Sequence, residues 1–155
     1  MLDKQSPEIA QGVNEGDGLH HEQGAGDQGL MFGFACNETK EMMPLPIHLS
    51  HRLVERMSAL RKDGTIPWLR PDSKSQVSVA YEDGKPVSIT NVVVATQHDD
   101  MLDQFGTEKA EHDFVESEMI EKVIKPVINK CGLPYEDSFI VNGTGRFVFG
   151  TPEAD

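Results

Sequence analysis

The stretch QVSVAYEDGKPVSITNVVV, from Gln76 to Val94, decides the fold. Apolar residues alternate with polar or small ones from Val77 to Tyr81, which is the period of a strand with one buried face. Asp83-Gly84 then provides a tight turn, because aspartate and glycine accept the positive φ angles that hairpin turns require. The return half ends in three successive valines, so we expect its strand to be central in a sheet. The stretch predicts a β-hairpin.

An amphipathic helix is predicted on each side of this hairpin. The first begins at Pro44 and Pro46 and ends at Asp63-Gly64, and one of its faces is apolar: Leu53, Val54, Met57 and Leu60. The second runs from Glu116 to Ile128 with apolar residues at helical spacing: Ile120, Val123, Ile124, Val127 and Ile128. Pro126 lies inside this second helix and is expected to kink or end it near Lys125.

Short apolar runs at both ends of the chain predict further strands. Leu30–Ala35 has strand length, and Ser138–Val141 and Arg146–Phe149 form a last strand interrupted by the turn Asn142–Gly145. The predicted order is β-α-β-β-α-β. This order indicates an α+β fold, with a single mixed or antiparallel sheet and two helices on one face. The other sheet face is then apolar and uncovered, which suggests a partner.

Composition excludes several functional classes. The 155 residues fit one domain, and 14 basic against 26 acidic residues give a net charge of −12. Nucleic acid is not expected as a partner, because phosphate contact needs a basic surface. Cys36 and Cys131 are far apart and predict neither a disulfide nor a metal site. No apolar run approaches a membrane span, and the first residues do not resemble a signal peptide, so a cytoplasmic location is expected.

Several segments carry side chains suited to ligand binding, although each is ordinary when taken alone. Gly24–Gly29 is a glycine-rich turn that enters a strand and lacks the Gly-Lys-Ser/Thr of a phosphate-binding loop. Arg70–Gln76 offers an acid and a base two residues apart. One face of the first helix carries a possible metal-binding set, His48, His51 and Glu55, which we expect to be solvated instead. The His20-His21 pair is a weaker candidate still.

Taken together, four segments resemble S-adenosylmethionine synthetases (methionine adenosyltransferases) in order and spacing, from Lys4 to Asp155. Gln5–Val13 is similar to that family's mobile active-site loop, and Gln23–Gly33 to its most recognisable signature. Thr65–Val77 is similar to a third family motif, and Thr144–Val148 with Gly150 to a fourth. The resemblance implies a mobile loop segment over residues 1–28 and the family's central domain over residues 29–155.

The resemblance also implies roles for individual residues. Asp27 and Lys74 match catalytic positions, and Gln5 and Asp155 match contacts to methionine. The residues that match ATP contacts are Asp72, Ser73, Lys74, Arg146, Phe147 and Asp155. No residue of the chain matches a metal ligand of the family.

The substrates implied are ATP and L-methionine, with Mg²⁺ and K⁺ as cofactors. The family's metal-binding acids and its lysine-bearing phosphate loop are not among these residues, so the chain by itself is expected to be inactive. Flanking domains or full-length subunits are the expected partners, in a homo-oligomer. Two alternatives stay open: a non-catalytic interaction or binding module that keeps the synthetase fold, and an unrelated α+β nucleotide-binding domain.

Overall fold

The computed structural model describes residues 3–26 and 29–150. Contacts divide the chain into two compact units, Met1–Phe34 and Ala35–Asp155. The described part of the first unit has one short helix, α1 (Pro7–Ala10), which buries none of its residues. Its glycines allow close backbone approach, since a Cβ at Gly24 would lie 2.4 Å from the Gly12 carbonyl oxygen. The predicted mobility of residues 1–28 stays a prediction.

The strand predicted at Leu30–Ala35 is wrong. These residues have no regular secondary structure, and Leu30, Met31, Phe32 and Phe34 are 76–92% exposed. Strand propensity alone does not form a strand, because the backbone must pair with a neighbour, and this run has no ladder partner among the described residues. Without it, the predicted order β-α-β-β-α-β loses its first element.

The second unit contains all other regular elements. The helices are α2 (Leu45–Lys62), α3 (Leu102–Phe105), α4 (Glu108–Met119) and α5 (Lys125–Ile128). A π-helical turn, Ile120–Ile124, joins α4 to α5, and a 3₁₀ turn, Asn129–Cys131, follows. The strands are β1 (Leu69–Glu82), β2 (Lys85–His98) and β3 (Phe139–Val141).

The strands form one mixed sheet in the order β1-β2-β3, which confirms the predicted α+β class. β1 and β2 are antiparallel, and β2 and β3 are parallel. The predicted turn joins β1 to β2 with φ of 49° at Asp83 and 74° at Gly84. Phe139–Val141 confirms part of the last predicted strand, whereas residues 146–149 form no ladder of their own.

One sheet face carries the hydrophobic core and the helices. Val92, Val94, Thr96 and His98 alternate along β2 and are almost fully buried. Ser75, opposite Val94, donates its hydroxyl to the Ser50 carbonyl of α2 at 2.8 Å. The opposite face was expected to be apolar, but it is mixed: Gln76 pairs with Val93 there, and neighbouring Ile140 is 45% exposed.

A carboxylate fixes the start of α2 to the sheet. Glu38 Oε2 accepts hydrogen bonds from the Leu45 backbone N–H at 2.8 Å and from the Tyr81 hydroxyl at 2.6 Å. These bonds lower the pKa of Glu38, the Tyr81 bond most. Because Pro44 has no capping side chain, Glu38 supplies the acceptor that the first helical amide needs.

The second helix begins at Glu108, eight positions before its predicted start, and continues through Pro126 to Ile128. Pro126 has no N–H and therefore leaves the Lys122 carbonyl without its helical donor. The π-helical turn lies just before the proline, and Arg56 Nε from α2 donates to the Lys122 carbonyl. The helix thus continues past the proline through the π-helical turn, because a side chain of the neighbouring helix supplies the missing donor.

The Glu38–Tyr81 contact predicts a defined response to alkaline pH. Burial of the ring and the neighbouring Glu38 carboxylate raise the pKa of Tyr81 to about 12. Because this folded value exceeds the unfolded value of about 10, the stabilisation is complete below about pH 10 and is lost as pH rises towards 12. We expect Glu38→Gln to move the Tyr81 pKa down towards 10, measured from tyrosinate absorbance at 295 nm.

The control is Tyr135→Phe, which removes the other tyrosine and should leave the high-pH titration step unchanged. A wild-type chain in which Tyr81 titrates with its ordinary pKa would contradict the contact.

Candidate functional site

The candidate site lies where the hairpin is farthest from its turn. Leu69 pairs with His98 and Ser73 with Thr96, so the three residues between Leu69 and Ser73 face only Gln97 across the ladder. The resulting bulge carries the Arg70–Asp72 part of the third motif. Arg70 is held there by both oxygens of Asp99, with 2.7 Å between Nη2 and Oδ2.

The fourth motif lies beside this end of β2. His98 donates its backbone N–H to the Phe147 carbonyl at 2.9 Å, and its ring Nε2 accepts from the Phe147 N–H at 3.2 Å. The other ring nitrogen, Nδ1, lies 2.7 Å from the Asp99 carbonyl. Because Nε2 accepts from Phe147, the geometry assigns a proton to Nδ1, which donates to the Asp99 carbonyl.

A glycine lets the fourth motif reach the third. Gly150 is buried, and a Cβ built there would lie 2.8 Å from the Gln97 side chain and 3.0 Å from Asp72 Oδ2. A larger residue would force these side chains apart. The structure therefore brings Asp72 and the backbone of residues 147–150 together, although they are far apart in the sequence.

Asn142 fixes the turn that precedes this segment. It is 97% buried with φ of 44°, and its side chain bonds both backbone groups of Thr96, at 2.7 and 3.0 Å. The amide thus continues the pairing of β3 with β2 by one step. Gly145 N–H then donates to the Asn142 carbonyl at 2.7 Å and closes the turn before Arg146.

Arg146 is held by two acids. Its Nε donates to Glu111 Oε2 at 2.6 Å and its Nη2 to Asp100 Oδ1 at 2.5 Å. The bond to Glu111 contributes most to raising the pKa of Arg146 above its usual value. Glu111 is completely buried on α4, and its other oxygen accepts from the Met101 N–H at 2.7 Å.

The predicted ATP-binding residues share this end of the hairpin, but their polar groups are not on one surface. Lys74 pairs with Ala95 and is exposed on the sheet face away from the helices. Ser73 faces the helix side and lines a cavity of about 190 Å³. The Arg146 guanidinium is directed to the helix residue Glu111. A shared nucleotide predicts that Asp72, Lys74, Arg146 and Phe147 converge on one surface, and this prediction is wrong for Lys74 and Arg146, which point to different sides of the sheet.

The other predicted residues are in the first unit or outside the description. Gln5 lies near the glycine-rich motif, since a Cβ at Gly26 would be 4.0 Å from Gln5 Nε2. Asp27 and Asp155 lie outside the described residues. Their expected contacts with methionine and ATP stay predictions.

The cavities give a mixed indication of where a ligand binds. A cleft of about 960 Å³ lies between α2 and residues 127–133 and contains none of the predicted site residues. A cavity of about 470 Å³ is lined by Trp68, Asp99 and Asp100, and these two acids are the partners of Arg70 and Arg146. The predicted site residues do not line this cavity either, but we place the candidate site beside it, because its acids hold the two arginines and volume alone does not define chemistry.

Possible metal ligands are partly engaged elsewhere. His48 Nδ1 lies 3.5 Å from Glu41, and Glu55 pairs with Arg52, so these side chains contact partners other than a metal. Among the described residues, one group not noticed in the sequence has ligand atoms within 4.8 Å of one another: His112, Asp113 and Glu116. Asp113 is bonded to Lys109, and His112 Nε2 contacts two backbone carbonyls.

Residues 22–147 match the family model described as S-adenosylmethionine synthetase, central domain. The chain belongs to this family. The matched range contains the second and third motifs, most of the fourth and the hairpin end described above, so the match extends through the part of the fold that positions Asp72, Lys74 and Arg146. In the described part of the chain, no helix combines the length and apolar character that crossing a membrane would need.

Sequence reasoning missed the residues that support this candidate site. Glu111, Val115 and Met119 form the buried stripe of α4, so an acid interrupts an otherwise apolar helical period. That interruption is a usable signal, because a buried carboxylate needs a cationic partner. His98 gave a weaker signal, as the last residue of β2, directly before the acids Asp99 and Asp100.

Replacing Asn142 tests whether the turn is anchored as described. Asn142→Ala leaves the Thr96 N–H and carbonyl unpaired in the interior, so we expect a loss of about 3 kcal/mol in the free energy of unfolding. The measurement is urea denaturation with an unchanged m-value. Asn91→Ala, which removes contacts only to half-buried Ser138, should cost about 1 kcal/mol or less. Equal losses in the two variants would refute the anchor.

Proposed function

We propose that this chain is the central-domain portion of a methionine adenosyltransferase. The enzyme forms S-adenosylmethionine from ATP and L-methionine and releases phosphate and pyrophosphate. The observation that carries the proposal is the family match over residues 22–147, joined to the clustering of the third and fourth motifs at one end of the hairpin. A cytoplasmic location and a homo-oligomer that includes the flanking domains belong to the same proposal.

The chemistry requires positioning and charge rather than a base. The methionine sulfur attacks C5′ of ATP, the C5′–O bond breaks, and the triphosphate leaves with the electron pair. A thioether has no proton to lose, so catalysis depends on in-line alignment and on neutralising the leaving group. We assign Lys74 and Arg146 to different parts of the triphosphate, since their charged groups do not converge directly. Phe147 is assigned to the adenine, and Asp27 to the developing sulfonium charge.

The acids beside Arg70 and Arg146 are not free to hold the Mg²⁺ of such an enzyme. Mg²⁺ prefers carboxylate and water oxygens with room for octahedral geometry. Asp99, Asp100 and Glu111 are instead bonded to arginines, with Asp100 and Glu111 also accepting backbone N–H groups. Our proposal therefore assigns the metal ligands to residues outside the described range, and no step of the mechanism uses a metal held by these acids.

Nucleotide binding tests the assignment directly. We expect the 155-residue chain to bind ATP weakly, with quenching of its single tryptophan, Trp68, which lines the cavity beside Asp100. Lys74→Ala should weaken binding about tenfold through loss of a charged phosphate contact. Phe147→Ala should weaken it by a similar factor through loss of stacking on the base.

The matched control for Lys74→Ala is Lys85→Ala, which removes the same charge at the turn end of the hairpin. Its ATP affinity should equal that of the wild-type chain. An equal loss in both lysine variants would mean that Lys74 acts only through net charge, and the proposed role would be wrong.

Turnover by the isolated chain should be undetectable. Removing several transition-state contacts at roughly 3 kcal/mol each lowers the rate by many decades. The assay incubates the chain with ATP, methionine, Mg²⁺ and K⁺ and measures the sulfonium product and triphosphate by mass spectrometry. Activity near that of an intact synthetase would contradict the expectation. If the chain assembles with full-length subunits but adds no turnover to them, the non-catalytic interaction module would be favoured instead.

A further inference from the structure

We infer that Glu111 is a positioning residue that presents one nitrogen of Arg146 to an anionic ligand. The inference rests on the proposed nucleotide function, because it assigns how that site holds its arginine. Glu111 lies 35 residues before Arg146 and on a different element, and no part of the sequence resemblance points to it.

The guanidinium of Arg146 has its partners on one side only. Nε donates to Glu111 and Nη2 to Asp100, and among the described residues Nη1 has no hydrogen-bond partner. No side-chain nitrogen or oxygen in the described part of the chain is both buried and without a partner. Nη1 is therefore accessible, with two N–H groups in a direction fixed by the other two nitrogens.

The two acids are themselves fixed by consecutive backbone amides. Met101 N–H donates to Glu111 Oε1 at 2.7 Å, and Leu102 N–H donates to Asp100 Oδ1 at 3.1 Å. Both amides belong to the start of α3, so the acids and the arginine form one rigid unit. A rigid arginine loses little side-chain entropy when it binds phosphate, which favours affinity.

Core stability alone does not account for Glu111. Its side chain is on the buried stripe of α4 with Val115 and Met119, where an apolar residue would pack without desolvating a charge. The Glu111 carboxylate instead lies where its second oxygen accepts a hydrogen bond from Arg146. A role in orienting the guanidinium explains this choice of residue.

The test compares ATP affinity in Glu111→Gln, which keeps the shape of the side chain, with Glu116→Gln, which removes the same charge from the same helix. We expect Glu111→Gln to weaken ATP binding at least tenfold and Glu116→Gln to leave it within twofold of wild type. In a double-mutant cycle, adding Glu111→Gln to Arg146→Lys should cause no further loss, because Glu111 acts only through Arg146. Wild-type affinity in Glu111→Gln, or additive losses in the cycle, would overturn the inference.

Nitrogen-15 NMR of the arginine Nε–H groups gives a readout independent of nucleotide. The Arg146 signal, assigned by its absence in Arg146→Lys, should resist exchange with solvent in the wild type and in Glu116→Gln and lose that protection in Glu111→Gln. If neither the wild-type chain nor any variant binds ATP, the proposed function is wrong. The inference is then decided by whether the Arg146 Nε–H is protected from exchange with solvent. An Arg146 Nε–H that exchanges freely with solvent in the wild type overturns the inference. This result holds even if Glu111→Gln does not fold.

Discussion

The antiparallel ladder between β1 and β2 is the constraint on which the rest of the molecule depends. Each strand has 14 residues, and the tight turn at Asp83–Gly84 fixes which side chains face the helices. A slip of one residue would move Val92 and Val94 out of the core and would separate the bulge at Arg70–Asp72 from His98. The register set at one end of the hairpin therefore positions the candidate site at the other.

Local patterns predicted the parts of the fold that local interactions determine. The hairpin and α2 each combine a clear apolar period with an explicit start or stop residue, and both are confirmed. The strand at Leu30–Ala35 failed because strand formation requires a partner that these residues lack among the described elements. The second helix was predicted too short, since its first two turns are mostly polar and their buried stripe begins with Glu111.

The candidate site could be predicted only in part, for a related reason. Family resemblance selected Lys74, Asp72, Arg146 and Phe147, and the structure shows their common end of the hairpin. The bonds of Arg146 to Glu111 and Asp100 span 35 and 46 residues and leave no local trace in the sequence. Pro126 shows the same limit of local patterns. The helix continues past this proline because Arg56, on another helix, donates to the Lys122 carbonyl. Arg56 lies 66 residues before Lys122 in the sequence.

The separation between β2 and its partners has a consequence for synthesis of the chain. Thr96 and His98 find their partners Asn142 and Phe147 only 46 and 49 residues later. At bacterial or eukaryotic elongation rates, this part of the chain takes on the order of several seconds to synthesise. The far edge of β2 is unpaired during that interval and is a template for other nascent chains. Until residues 99–147 have followed, this edge is the part of the sheet most open to pairing with another chain.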